Sequence, residues 1–143
     1  MIKTIFCFLF ALFAVALISL GATIYSMGGF QHLDTRLTWE TINLFLYATI
    51  HKLGIVSLCL AIIFQLLPQR YPRLPIIVLL GFSIAILYNY LTLVLVDTAT
   101  LESLYQKGWG FMALFNNFLL YYGLYGSLLA LIGGMLALRI QKN

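Results

Sequence analysis

A chain of 143 residues that is 63% hydrophobic and only 8% charged, with a mean hydropathy of +1.03, lacks the charge to clothe a water-facing surface, where roughly 25% charged residues is usual. Lipid is therefore its expected solvent, and the length suits one compact membrane domain with no second globular unit. The net charge of +4 is gathered into no basic run and no aromatic-interleaved basic patch, which argues against nucleic acid as a partner.

Charges divide the sequence into apolar runs. Thirty uncharged residues, 4–33, follow Lys3, more than the ~20 that a helix needs to cross the hydrocarbon. They predict a first span near Thr4–Ser26, closed by Gly28-Gly29. Lys3, the apolar stretch and "SLGA" also resemble a secretory signal peptide. The length of the run and the want of a clear A-x-A site favour an uncut helix. Only seventeen uncharged residues separate Lys52 from Arg70. The second span is therefore long enough only if it starts near Ile42 and runs to Leu67, with His51 and Lys52 inside it. "PQRYPRLP", with Pro68 and Pro72, predicts a tight turn. A third span is expected over Leu74–Val96, a connection over Asp97–Gly110, and a fourth span over Phe111–Leu138. Only helices or closed barrels satisfy their backbone in lipid, and unbroken runs of this length fit helices. The expected fold is an all-α bundle of four transmembrane helices. Cys7 and Cys59 sit singly in apolar runs, without C-x-x-C or metal-ligand spacing, and predict no disulfide framework.

Lysine and arginine set the orientation. The N-terminus, the proline-rich turn and the C-terminus hold Lys3, Arg70, Arg73, Arg139 and Lys142 and no acid. The other two connections hold Arg36 and Lys107 with all four acids, Asp34, Glu40, Asp97 and Glu102. Five basic residues against two predict cytoplasmic termini, and a bacterial inner membrane is the expected location. Trp39, Tyr47, Tyr105 and Trp109 then form an aromatic belt at the outer face.

Polar groups inside the spans are the candidate site. Glu40, Asn43, Tyr47, His51 and Gly54 recur at steps of three or four and share one helix face, which is assigned to the bundle interior. His51 lies sixteen residues before Leu67, or roughly 24 Å from the cytoplasmic edge at about 1.5 Å per residue. Lys52, on the adjacent face, is expected to snorkel to the outer headgroups. Asn89, Asn116, Asn117, Tyr121 and Tyr122 fall at similar depth on the third and fourth spans. With His51 they predict an outer-leaflet polar layer, read either as interhelical hydrogen-bond glue or as a ligand site. Gly126, Ala130 and Gly134 recur every four residues, a small-xxx-small stripe that admits close helix approach within the chain or between copies. His32 and His51 are the only histidines. No HExxH, nucleophile elbow or glycine-rich phosphate loop is present, so neither an enzyme nor a cofactor is expected.

"LGA" at Leu20–Ala22, "LTWET" at Leu37–Thr41, then Tyr47, His51, Leu53 and Gly54, and "ILYNYL" at Ile86–Leu91 resemble the small four-helix membrane proteins of unknown function represented by YgdD and its mitochondrial relatives. That family's Gly-Ala-His after the first helix and its Thr-Pro-x-Gly-Gly in the fourth are absent here. The resemblance implies four helices with short loops and carries no assigned activity. Two function classes follow. One is a non-enzymatic scaffold or accessory subunit of a membrane complex, of which a quinone- or haem-complex anchor is a narrow form. The other is a small-ligand binder or transporter that uses the polar layer, as an oligomer. The expected partners are the bilayer and either further copies of the chain or other subunits.

Overall fold

The computed structural model describes residues 1–26 and 39–143, with backbone alone at Ser26, Trp39–Ile42, Leu44, Phe45, Asn117 and Phe118. Among these residues the fold is all helix: α1 (Ile2–Ser26), α2 (Trp39–Leu66), α3 (Arg73–Leu95), α4 (Thr98–Gln106), α5 (Phe111–Leu114), a π turn (Phe115–Leu119) and α6 (Leu120–Lys142). Among the described residues, four helices are long and apolar enough to cross a membrane: Ile2–Tyr25, Leu46–Leu66, Arg73–Leu95 and Leu120–Lys142. The protein is thus an all-α membrane protein built on a four-helix bundle. The glycine pair Gly28-Gly29 lies outside the described residues.

Local chemistry sets the breaks. α2 ends two residues before Pro68, and Tyr71 N–H closes the turn on the Pro68 carbonyl at 3.2 Å. Pro72 and Pro75 flank the start of α3, where a missing N–H costs nothing because the first turn has no intrahelical acceptor for it. The third connection, expected over Asp97–Gly110 without an element of its own, is largely helical. It contains α4, which buries no residue and so gives no apolar period to read. Gly108 stops α4 at φ +82, a backbone conformation that side chains resist and glycine accepts. Its N–H bonds the Tyr105 carbonyl at 3.0 Å, and Trp109 N–H the Leu104 carbonyl at 3.1 Å. The fourth predicted span also differs. The N–H of Leu120 reaches back five residues to Phe115, so a π turn separates α5 from the membrane-crossing α6.

The helices close into a ring in which α1 lies between α2 and α6, and α3 between α6 and α2, with the α3–α6 contact the most extensive. Leu53, Val56, Ser57, Leu60, Ala61 and Phe64 form the inward face of α2. Phe8, Ala11 and Val15 of α1 meet them, as do Ile77 and Ala85 of α3 and Leu129, Ala130 and Ala137 of α6. In lipid, tight packing and close approach hold helices together, because the surrounding tails are as apolar as the side chains. The α3–α6 seam achieves this with glycine. A Cβ at Gly81 would sit 2.6 Å from the Gly126 carbonyl oxygen, and one at Gly126 would collide with the Gly81 carbonyl oxygen and the Ala85 methyl. Gly133 gives its space to the Phe8 ring and Gly134 to Leu74 and Ile77. Gly126, Ala130 and Gly134 are therefore all spent inside one chain. The buried Ser57 Oγ donates to the Phe8 carbonyl of α1 at 3.0 Å and so ties α2 to α1.

Candidate functional site

Packing contacts fix the helix register. Gly126 nests between Gly81 and Ala85, so α3 and α6 run antiparallel with Asn89 level with about Leu120. Phe64 lies beside Gly134 and Lys52 beside Tyr122, so α2 and α6 run parallel. Lys52, Tyr122 and Asn89 consequently share one level, in the half of the bundle nearer α4.

The structure brings only part of the predicted layer to that level. The Lys52 side chain is half-buried, with its ammonium 4.8 Å from the centroid of the Tyr122 ring. Asn89 is 3% exposed and donates Nδ2–H to the Ala85 carbonyl of its own helix at 2.8 Å. His51 is exposed and stacks parallel on Tyr47, centroids 6.1 Å apart, one turn back on the same outward face. Asn43 also lies on that face and is exposed. Asn116 and Tyr121 are exposed. The Asn117 side chain, His32, and the side chains of Glu40 and Trp39 lie outside the described residues.

The facing of α2 is thus a correction: His51 points away from the bundle and Lys52 into it. Asn43, Tyr47, His51, Ile55, Leu58 and Ile62 form one exposed stripe. Beyond residue 52 both faces of this helix are apolar apart from Ser57 and Gln65, so hydropathy does not single out the core face, and Asn43, Tyr47 and His51 are a misleading guide to it. A cation over an aromatic face contributes about 0.5–2 kcal/mol. Lys52→Leu and Tyr122→Leu are each expected to lower thermal stability in detergent, with a double-mutant coupling of about 1 kcal/mol. His51→Leu should stay within about 0.5 kcal/mol of the parent. Zero coupling, or a larger loss from His51→Leu, would contradict the inward placement of Lys52.

A second polar cluster, missed by the sequence reading, sits at the opposite end. Thr4 Oγ1 donates to Gln65 Oε1 at 3.0 Å, joining α1 to α2. Arg73 Nη1 donates to Gln141 Oε1 at 3.0 Å, joining α3 to the last turn of α6. The Arg73 guanidinium lies 5.5 Å from the Phe64 ring centroid. Its Nε is sealed from solvent without a hydrogen-bond partner. Two open clefts flank Gln141: one of about 600 Å³ between Lys3, Thr4, Cys7 and Gln65, and one of about 460 Å³ beside Arg73 and Lys142. The available signal was an uncharged polar residue at the end of three of the helices, Thr4, Gln65 and Gln141, beside the charged Arg73.

Compared with known proteins, the chain matches no family model, no curated protein and no solved structure.

Proposed function

We propose that this protein is a non-enzymatic scaffold or accessory subunit of a membrane complex, seated in a bacterial inner membrane with both termini in the cytoplasm. The supporting observation is the outward stripe of α2. Asn43, Tyr47 and His51 face away from their own bundle, and His51 lies within the apolar segment Leu46–Leu66. Polar side chains within a membrane-crossing segment normally face a protein neighbour or a wet cavity. A second polypeptide against α2 would supply the hydrogen-bond partners that lipid does not. The family resemblance in the same stretch agrees with this reading without adding an activity, and the concentration of basic residues at one end supports the orientation.

A photo-crosslinking residue in place of Tyr47 or His51, activated in native membranes, is the test. Discrete protein adducts are expected there, with lipid adducts alone from Leu87 on the exposed face of α3. Lipid adducts alone at positions 47 and 51 would overturn the proposal. The ligand-binding alternative draws on a different observation, the half-buried Lys52 level with Tyr122 and Asn89. A small molecule carried through purification and lost in Lys52→Leu would favour it.

A further inference from the structure

We propose that the cleft between the α2–α3 turn and the last turn of α6 binds the phosphate of an anionic phospholipid headgroup. Arg73 and Lys142 are its cationic ligands, and Gln141 positions Arg73. The proposal rests on the far end of the bundle from Lys52 and on a different face from the α2 stripe, so it stands or falls apart from the scaffold reading.

Charge is the first ground. Arg73 and Lys142 both line this cleft of about 460 Å³, and no carboxylate does. Of the chain's four acids, Asp97 and Glu102 lie beyond the other end of α3, and Asp34 and Glu40 precede the membrane-crossing part of α2 in sequence. The positive charge here is left for a ligand to balance. The N-terminus of α3, which opens onto the cleft, has no side-chain cap and adds its partial positive charge.

The state of Arg73 is the second ground. A guanidinium offers five donors in a planar fork that matches phosphate oxygens two at a time. One donor on Nη1 is held by Gln141 at 3.0 Å and Nε is buried, which leaves the other Nη1 and Nη2 donors to meet a ligand. Phe64 beneath the guanidinium and Gln141 beside it fix where the fork lies. A group fixed in this way and only partly satisfied is prepared for an acceptor that brings several oxygens.

The polarity gradient is the third ground, and it selects lipid over free phosphate. Gln69, Tyr71 and Lys142 line the outer part of the cleft, and Leu74 and Leu138, further along their helices, line the part that enters the membrane. A phospholipid has that same order of headgroup followed by acyl chain. Basic clefts between helices at the cytoplasmic surface take acidic headgroups by this chemistry.

The test uses the full chain in detergent, offered phosphatidylglycerol and phosphatidylcholine in equal amounts, with bound lipid read by native mass spectrometry. The intact chain is expected to retain phosphatidylglycerol over phosphatidylcholine by roughly tenfold. Arg73→Gln should cut that preference about fivefold, since each basic contact with an anionic surface is worth about 1 kcal/mol. Lys142→Gln, at the exposed end of α6 where folding is not at stake, should cut it similarly. Arg139→Gln removes the same charge at the same end but outside the cleft, and should leave the preference intact. Equal retention of the two lipids by the intact chain would overturn the proposal. So would equal losses from Arg73→Gln and Arg139→Gln, the mark of diffuse surface charge. Displacement of the lipid by millimolar inorganic phosphate would overturn the lipid assignment in favour of a soluble phosphate.

Discussion

Gly126→Ile is expected to cost about 3 kcal/mol or more and to prise α3 from α6, seen as a collapse of the melting temperature in detergent. The first atoms of the new side chain meet backbone. A Cβ at Gly126 strikes the Gly81 carbonyl oxygen, which belongs to a packed helix and has no rotamer to escape into. Inserting even one methylene into a filled core costs about 1–3 kcal/mol, and isoleucine adds several atoms. Gly134→Ile should be milder, because a Cβ there meets the tip of Leu74 first, at 2.8 Å, and that side chain can swing. Gly54, with nothing within 4 Å of its Cβ position, is the control. Gly54→Ala should be neutral or stabilising by up to about 1 kcal/mol through helix propensity. Equal melting of Gly126→Ile and the parent would mean that the seam is not formed.

Phe64→Ala should be the most damaging truncation, at about 3 kcal/mol, measured by thermal or detergent-induced unfolding. Loss of a buried phenylalanine in a water-soluble core costs about 3–5 kcal/mol. The low end applies because this ring has apolar surroundings whether the helices are packed or apart. What is lost is the dispersion contact and the void left behind. The ring is fully buried, 5.9 Å from Phe8 at a tilt of 57°, beside Gly134 and beneath the Arg73 guanidinium. One truncation therefore loosens α1, α6 and the start of α3 together. Phe64→Leu, which keeps most of the volume, should recover more than half the loss. An effect below about 1 kcal/mol would mean that α2 is not anchored through this residue.

The four spans were legible because charge is scarce. Lys3, Arg70, Arg73, Asp97 and Arg139 stand at or beside the ends of the apolar runs, and the helices start and stop within a few residues of them. Interior detail was legible only where a residue type has one common use in lipid. The recurring small residues at 126, 130 and 134 marked a close helix approach but not its partner. Gly81 and Ala85, which complete the seam, make only a single four-residue step on α3, too short to stand out as a stripe. Helix facing was the weak point. His51 and Asn43 read as interior groups on the cost of burying them in lipid, yet that cost does not say whether a polar group turns into its own bundle or out of it. The π turn was illegible, since "FNNFL" differs from an α-helical sequence in nothing that hydropathy registers. The cluster of Thr4, Gln65, Arg73 and Gln141 is a product of the ring arrangement. Its members are scattered from residue 4 to residue 141 and meet only once the bundle has closed.

That closure has a timetable. α6 touches α1, α2 and α3, and the ribosome makes it after all three of them. At synthesis rates of about 5–20 residues per second, the Gly81 face of α3 waits several seconds in the membrane before Gly126 emerges to cover it. During that interval the first three helices have one another but not their common neighbour. A chain cut short before residue 120 would stay in that condition permanently, with the glycine groove on α3 open and Phe8 facing the space that Gly133 should occupy. Incomplete chains of this protein therefore carry a structural signature by which a membrane protease could tell them from finished ones.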